Sequence, residues 1–192
     1  HRDLHSFPTR RSSDLVIAGQ MGMTWHLVIA LGSLAMAWVT IKAPRFGILV
    51  AQKNYAELDR FFFRTAGISM GVISLGAVVL WLLIFGLNYF QHPLAQRILS
   101  PLPFGMFIAG AILGQIAQCQ AAYLRAHKQE PFLVYNIVYG ITNGILVWWL
   151  GSRFGALGAS AGYLLVMSLV SFPLGSYIWI KCRKKWHADE LR

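Results

Sequence analysis

The sequence predicts an all-α integral membrane protein with five transmembrane helices, and three observations carry that reading. Hydrophobic residues make up 56% of the 192 positions and charged residues only 12%, roughly half the charged share of a soluble domain. Five charge-free runs, Val16–Ile41, Thr65–Gln96, Ile98–Leu124, Pro131–Ser152 and Phe154–Ile180, are separated by short clusters of charge. Each run is long enough for a helix to cross a hydrocarbon core of about 30 Å, which takes roughly 20 residues. None alternates polar and apolar residues as a barrel strand does, and a helix satisfies its own backbone where no water is present.

The first span, about Met21 to Ile41, is expected to stop at Lys42-Ala43-Pro44, because proline disfavours helix in the residue before it. Asn54–Thr65 sets Leu58, Phe61 and Phe62 among Glu57, Asp59, Arg60 and Arg64, the pattern of an amphipathic helix lying in the interface ahead of the second span. That second span, about Ala66 to Phe90, closes on Tyr89, Phe90 and His92-Pro93. Pro93–Pro103 reads as an outer loop containing a turn of helix. The third span runs from Pro103, where a missing N–H costs little, to about Ala126. After a sharp turn at Arg125–Pro131, the fourth span ends at Trp148 and Trp149. Gly151–Gly155 then forms a tight turn that makes the fourth and fifth spans a helical hairpin. Glycine pairs at Gly67/Gly71, Gly110/Gly114, Gly140/Gly144 and Gly158/Gly162 predict close helix packing.

The net charge of +10 is explained by topology rather than by a nucleic-acid partner. One side of the membrane receives twelve basic residues: Lys42, Arg45, Lys53, Arg60, Arg64, Arg125, Lys128, Lys181, Arg183, Lys184, Lys185 and Arg192. The other receives Arg97 and Arg153. By the positive-inside rule the larger set is cytoplasmic, and the C-terminus with it.

Residues 1–15, HRDLHSFPTRRSSDL, read without mismatch as the translation of a common short-read sequencing adapter. They are expected to be non-native, with residues 16–192 as the natural portion and its N-terminal part missing. His1, His5, Arg10 and Arg11 then carry no function.

Chemistry is sparse within the spans. Gln115 and Gln118 share a face of the third span, and Asn136 and Asn143 a face of the fourth. Such neutral amides either bond across helices or line a polar cavity for a hydroxyl-rich substrate. His26, the one imidazole within a span, has no partner acid in its reach. Arg45, Arg60, Arg64, Arg125 and Lys128 stand at span ends, where they contact the phosphates of a lipid-linked substrate or of anionic membrane lipids. Cys119 and Cys182 lack CxxC spacing, and no paired histidines occur, so no metal site or cofactor is expected. A Gly-rich phosphate loop and a GxSxG elbow are also lacking, which argues against an enzyme.

Several segments together resemble a known type. Ala43–Leu58 is similar to the loop after the second helix of a lobe in polysaccharide flippases of the multidrug/oligosaccharidyl-lipid/polysaccharide exporter superfamily. Tyr123–Phe132, Gly151–Gly158 and Gly162-Tyr163 resemble later connections in the branch that includes Wzx-type O-antigen flippases. The resemblance implies that residues 16–192 are a partial C-terminal lobe, helices eight to twelve of a twelve-helix, two-lobe transporter of the bacterial inner membrane. It further implies flipping of undecaprenyl-diphosphate-linked oligosaccharide by alternating access for O-antigen or other polysaccharide synthesis, with the polymerase machinery as a partner. Gln115, Gln118, Asn136 and Asn143 would form cavity wall, the diphosphate-binding cations would lie in the missing lobe, and the isolated fragment would be inactive. A drug antiporter of the same superfamily would need a membrane-embedded acid or cation site, and an integral-membrane cell-wall assembly enzyme would need a larger outer loop.

Overall fold

The computed structural model describes residues 7–127 and 132–188, with side chains over 15–127 and 132–186. Every element is helical: α1 (Phe7–Ala51), α2 (Tyr55–Tyr89), a 3-10 turn (Pro93–Arg97), α3 (Pro101–Ala126), α4 (Phe132–Val166), a π-helical segment (Met167–Ser171) and α5 (Phe172–Ala188). Among the described residues four runs are long and apolar enough to cross a membrane: Leu15–Ala51, Tyr55–Tyr89, Pro101–Ala126 and Phe132–Trp186. They fit a multi-pass membrane protein. Their outer faces agree, since Leu75, Val79 and Leu82 of α2 and Leu133, Ile137 and Ile141 of α4 are all exposed, an apolar surface too continuous for water.

The last of these runs is folded back on itself. Gly155 takes φ 61° and ψ −144°, in a region of backbone space that is almost reserved for glycine. Beyond it, Gly158 lies against the Leu150 carbonyl and Gly162 against the backbone of Leu146 and Val147. Farther along the two limbs, the Tyr135 hydroxyl meets Ser171 Oγ at 2.6 Å, and Gly175 faces Phe132 and Tyr135. These pairings place the limbs antiparallel, with the reversal at Gly155. The turn expected over Gly151–Gly155 is therefore found at its last residue.

Helix α3 is the axis of the bundle. Its Gln115 side chain donates to Ser69 Oγ of α2 at 2.8 Å, and that hydroxyl donates to the Ala35 carbonyl of α1 at 2.7 Å. On its far side Gly110 and Gly114 face Tyr163 and Met167, and Gln120 donates to Ser176 Oγ at 3.2 Å. One core cluster gathers Phe46, Leu58, Phe62, Tyr123 and Trp179; the other gathers Leu31, Ile73, Phe104, Phe107 and Tyr163.

Three expectations are corrected. Helix α1 does not stop at Pro44 but continues to Ala51 with the proline inside it. A proline in a helix interior forfeits a hydrogen bond, at about 3 kcal/mol; beyond it Phe46 and Leu49 are both buried, and Phe46 packs edge-on against Phe61 and Phe62. That anchoring holds the last turns helical. Asn54–Thr65 is likewise not a separate interfacial helix, because α2 is continuous from Tyr55 and turns Leu58, Phe62 and Thr65 into the core. Asn54 starts the helix as its cap, its Oδ1 accepting from the Glu57 N–H at 3.2 Å. Finally, Gly67, Gly71, Gly140 and Gly144 have open space where a Cβ would stand, so only the Gly110/Gly114 and Gly158/Gly162 pairs mark close approaches. Spacing identifies a smooth helix face without saying what covers it.

The bundle segregates its charge. At one end the α1–α2 junction, the C-terminus of α3 and the C-terminus of α5 converge: the rings of Tyr55 and His127 stack at 6.2 Å, and those of His127 and Trp186 at 3.8 Å. Arg45, Arg60, Arg64, Arg125 and Lys181 to Lys185 collect around this basic end. The opposite end is closed by the 3-10 turn, where Gln20 donates to the Gln96 carbonyl at 2.8 Å and the Leu99 N–H to Thr24 Oγ1 at 3.2 Å.

Candidate functional site

A cavity of about 800 Å³ is bounded by α1, α3 and the first limb of α4. Each helix contributes one stripe of side chains at helical spacing, as three rods around a trough must. From α1 come Trp25, Ile29, Ser33 and Met36; from α3, Gly114, Gln115, Gln118, Ala121 and Arg125; from α4, Phe132, Tyr135, Asn136 and Tyr139. Tyr163 and Met167 close the wall behind. Along α3 the lining runs from Ala111 to Arg125, about 20 Å at 1.5 Å per residue.

The cavity's chemistry has three parts. One is aromatic: Trp25 meets Phe107 and Tyr163 edge-on at 5.9 and 5.3 Å, and Tyr135 stacks parallel to Tyr139 at 6.1 Å. The second consists of neutral amides. Gln118 and Asn136 are exposed on the lining, whereas Gln115 is 3% exposed and already engaged with Ser69. Gln115 thus bonds across helices while it also borders the cavity. The third part is a single cation, Arg125, at the basic end. Among the described residues that line the cavity there is no carboxylate.

Three of the four amides expected to form a cavity wall are therefore brought together, and Asn143 is not. It lies two turns beyond Asn136, outside the lining, with a buried Oδ1 that lacks a hydrogen-bond partner. His26 is exposed and outside the lining as well. Of the terminal cations only Arg125 reaches the cavity; Arg45, Arg60 and Arg64 line a separate cleft with Glu57 and Phe61, and Lys128 lies outside the described residues. The aromatic lining was missed from sequence, although Phe132, Tyr135, Asn136 and Tyr139 follow the i, i+3, i+4, i+7 spacing of one helix face.

A charged cluster between helices was also missed. Asp59 of α2 receives the Arg183 side chain of α5 through Nε at 3.0 Å and Nη2 at 2.5 Å, and the Tyr123 hydroxyl of α3 donates to the same carboxylate at 3.0 Å. The Arg183 guanidinium also lies 5.4 Å over the Trp179 ring and 5.7 Å over Phe63. With the Asp59 side chain 14% exposed and that of Arg183 33%, this cluster ties α2, α3 and α5 together at the basic end.

No protein-family model, no curated protein and no solved structure matches this chain.

Proposed function

We propose that the chain is part of a membrane transporter that moves a lipid-linked oligosaccharide, an undecaprenyl-diphosphate-linked glycan of the polysaccharide-flippase type, from the cytoplasmic to the outer leaflet of the bacterial inner membrane. The observation that carries this reading is the lining of the cavity. Aromatic rings and uncharged amides suit the apolar faces and hydroxyls of sugars, and an oligosaccharide with its diphosphate cannot cross hydrocarbon without such a polar path. An antiporter for cationic drugs would need an embedded acid, and the lining offers none among the described residues.

The limbs on either side of Gly155 support five membrane passes rather than four. Residues 132–154 alone would span about 34 Å as a helix, enough to cross by themselves. With five passes, the basic end is cytoplasmic by the positive-inside rule and the C-terminus lies there. The trough is open on one side, as half of a pathway completed by a second lobe would be. Export of a polysaccharide precursor, without catalysis or a cofactor, is consistent with each of these features and with the resemblance of Ala43–Leu58 and Gly151–Gly158 to flippase segments.

Binding tests the proposal. In phosphatidylcholine nanodiscs the protein should bind an undecaprenyl-diphosphate oligosaccharide more tightly than undecaprenyl diphosphate alone, as read by surface plasmon resonance. The Gln118→Ala and Asn136→Ala variants should each weaken the oligosaccharide about fivefold to tenfold, as loss of one hydrogen bond of about 1 kcal/mol predicts, while leaving the glycan-free lipid unchanged. Equal affinity for both lipids, or none for either, would overturn it.

A further inference from the structure

The basic end carries a second concavity, a cleft of about 490 Å³ that shares no residue with the transport cavity. Its walls are Arg45 from α1 and Glu57, Arg60, Phe61 and Arg64 from α2. The four α2 positions follow the i, i+3, i+4, i+7 spacing that puts them on one helix face, and that face looks onto Arg45. Three guanidiniums against one carboxylate leave the cleft with two net positive charges.

The three arginines are not equivalent. Arg45 is held in place: its Nη2 lies 3.1 Å from Glu57 Oε1, and its guanidinium sits 4.6 Å over the Phe61 ring. Glu57 is itself fixed by Asn54 Nδ2 at 3.0 Å. The pairs Arg45–Glu57 and Arg183–Asp59 are the two ion pairs among the described residues, so Arg60 and Arg64 have no carboxylate partner there. One oriented guanidinium therefore faces two uncommitted ones across a cleft floored by an aromatic ring. A planar guanidinium fork matches phosphate oxygens two at a time. One turn before Arg45 on α1 and one turn past Arg64 on α2, Ile41 and Ile68 are exposed, so the cleft stands where an apolar belt gives way to charge.

We infer that this cleft is a binding site for the phosphodiester headgroup of an anionic phospholipid, with Arg60 and Arg64 holding the phosphate, Arg45 completing the cradle and the acyl chains lying along the neighbouring apolar face. The pattern accounts for the arginines: a role confined to membrane orientation requires charge at this end but no convergence on one cleft. The site stands apart from the transport reading, because the cavity could be empty of glycan and the cleft would keep its chemistry.

Phosphatidylglycerol titrated into the protein in a neutral maltoside detergent is the probe, with retained lipid counted by native mass spectrometry. The wild-type chain should retain phosphatidylglycerol over phosphatidylcholine. Arg60→Gln and Arg64→Gln should each weaken retention about tenfold, the loss of one charge-assisted contact, whereas Lys184→Gln, an exposed basic residue at the same end but outside the cleft, should not. Arg60→Lys should recover part of the loss, because it restores charge without the fork. The unfolding midpoint without added lipid should be unchanged in all four variants, which separates lost binding from lost folding. Retention that is equal in the wild type and the Gln variants, or that falls equally in Lys184→Gln, would overturn the site. Inorganic pyrophosphate that displaces the lipid and binds as tightly as it does would overturn the phospholipid assignment and give the cleft to a diphosphate.

Discussion

Substituting Gly158 with alanine is expected to be the most damaging single-methyl change in the chain, costing about 3 kcal/mol or splaying the hairpin altogether. A Cβ at this position would sit on the Leu150 carbonyl and its carbon, both backbone atoms, and within 2.8 Å of Phe154 Cβ. A flexible side-chain tip can rotate away, but here the whole limb must move, which places the change at the upper end of overpacking costs. Gly162→Ala should be milder, under about 1.5 kcal/mol, since its Cβ would meet Leu146 and Leu150 atoms at 3.2 and 3.3 Å. Gly155→Ala should cost about 1–3 kcal/mol for a different reason, the positive φ of 61°. Thermal unfolding of the three variants in detergent, followed by tryptophan fluorescence, checks the ranking. Gly158→Ala as benign as Gly162→Ala would mean that the limbs do not close at Gly155 as described.

The second large effect is expected at Asp59. Alanine there leaves the Arg183 guanidinium half-buried without its carboxylate and the Tyr123 hydroxyl without its acceptor. Removing one partner of a fully buried pair costs about 3–5 kcal/mol, and the 33% exposure of the Arg183 side chain lets water recover part of that. A loss of about 2 kcal/mol is the expected result. Tyr123→Phe should cost about 1 kcal/mol, as one hydrogen bond. The double variant Asp59→Ala/Arg183→Ala should be less destabilised than the sum of its single changes, because the two groups share one interaction. Strict additivity in that cycle would contradict the pairing.

Much of the fold was legible because the bilayer requirement is severe. Charge-free runs of about 20 residues announce helices, and Gly151-Ser152-Arg153-Phe154-Gly155 announces a reversal because glycines and polar residues interrupt an apolar run. The errors came where tertiary packing outweighs a local rule. Pro44 is a good stop signal in isolation, but Phe46 and Leu49 beyond it find core positions, and burial outweighs the lost hydrogen bond. The segment from Asn54 to Thr65 has an amphipathic pattern whether it lies on a membrane or on its own bundle; the position of α1 decides, and periodicity does not contain it. Gly67/Gly71 and Gly110/Gly114 have the same spacing, yet only the second pair has Tyr163 and Met167 opposite.

The candidate site was half legible. Gln115, Gln118 and Asn136 stood out as amides in apolar surroundings, and all three line the cavity. Trp25, Tyr139 and Tyr163 did not, because aromatic residues in a membrane protein are common enough to be ordinary packing until three helices bring them to one wall. Asp59 and Arg183, 124 positions apart, are ordinary interfacial charges in sequence, and their contact exists only once α2, α3 and α5 meet.

The most direct test of the central claim is photo-crosslinking with a diazirine placed on the glycan of an undecaprenyl-diphosphate oligosaccharide, in nanodiscs, with the labelled residues mapped by mass spectrometry. Labelling should concentrate on Trp25 to Met36, Ala111 to Arg125 and Phe132 to Tyr139, the three stripes of the cavity, and unlabelled oligosaccharide should compete it away. Labelling confined to the outer faces carrying Leu75, Val79 and Leu82, or indifferent to competitor, would contradict a glycan path through this bundle.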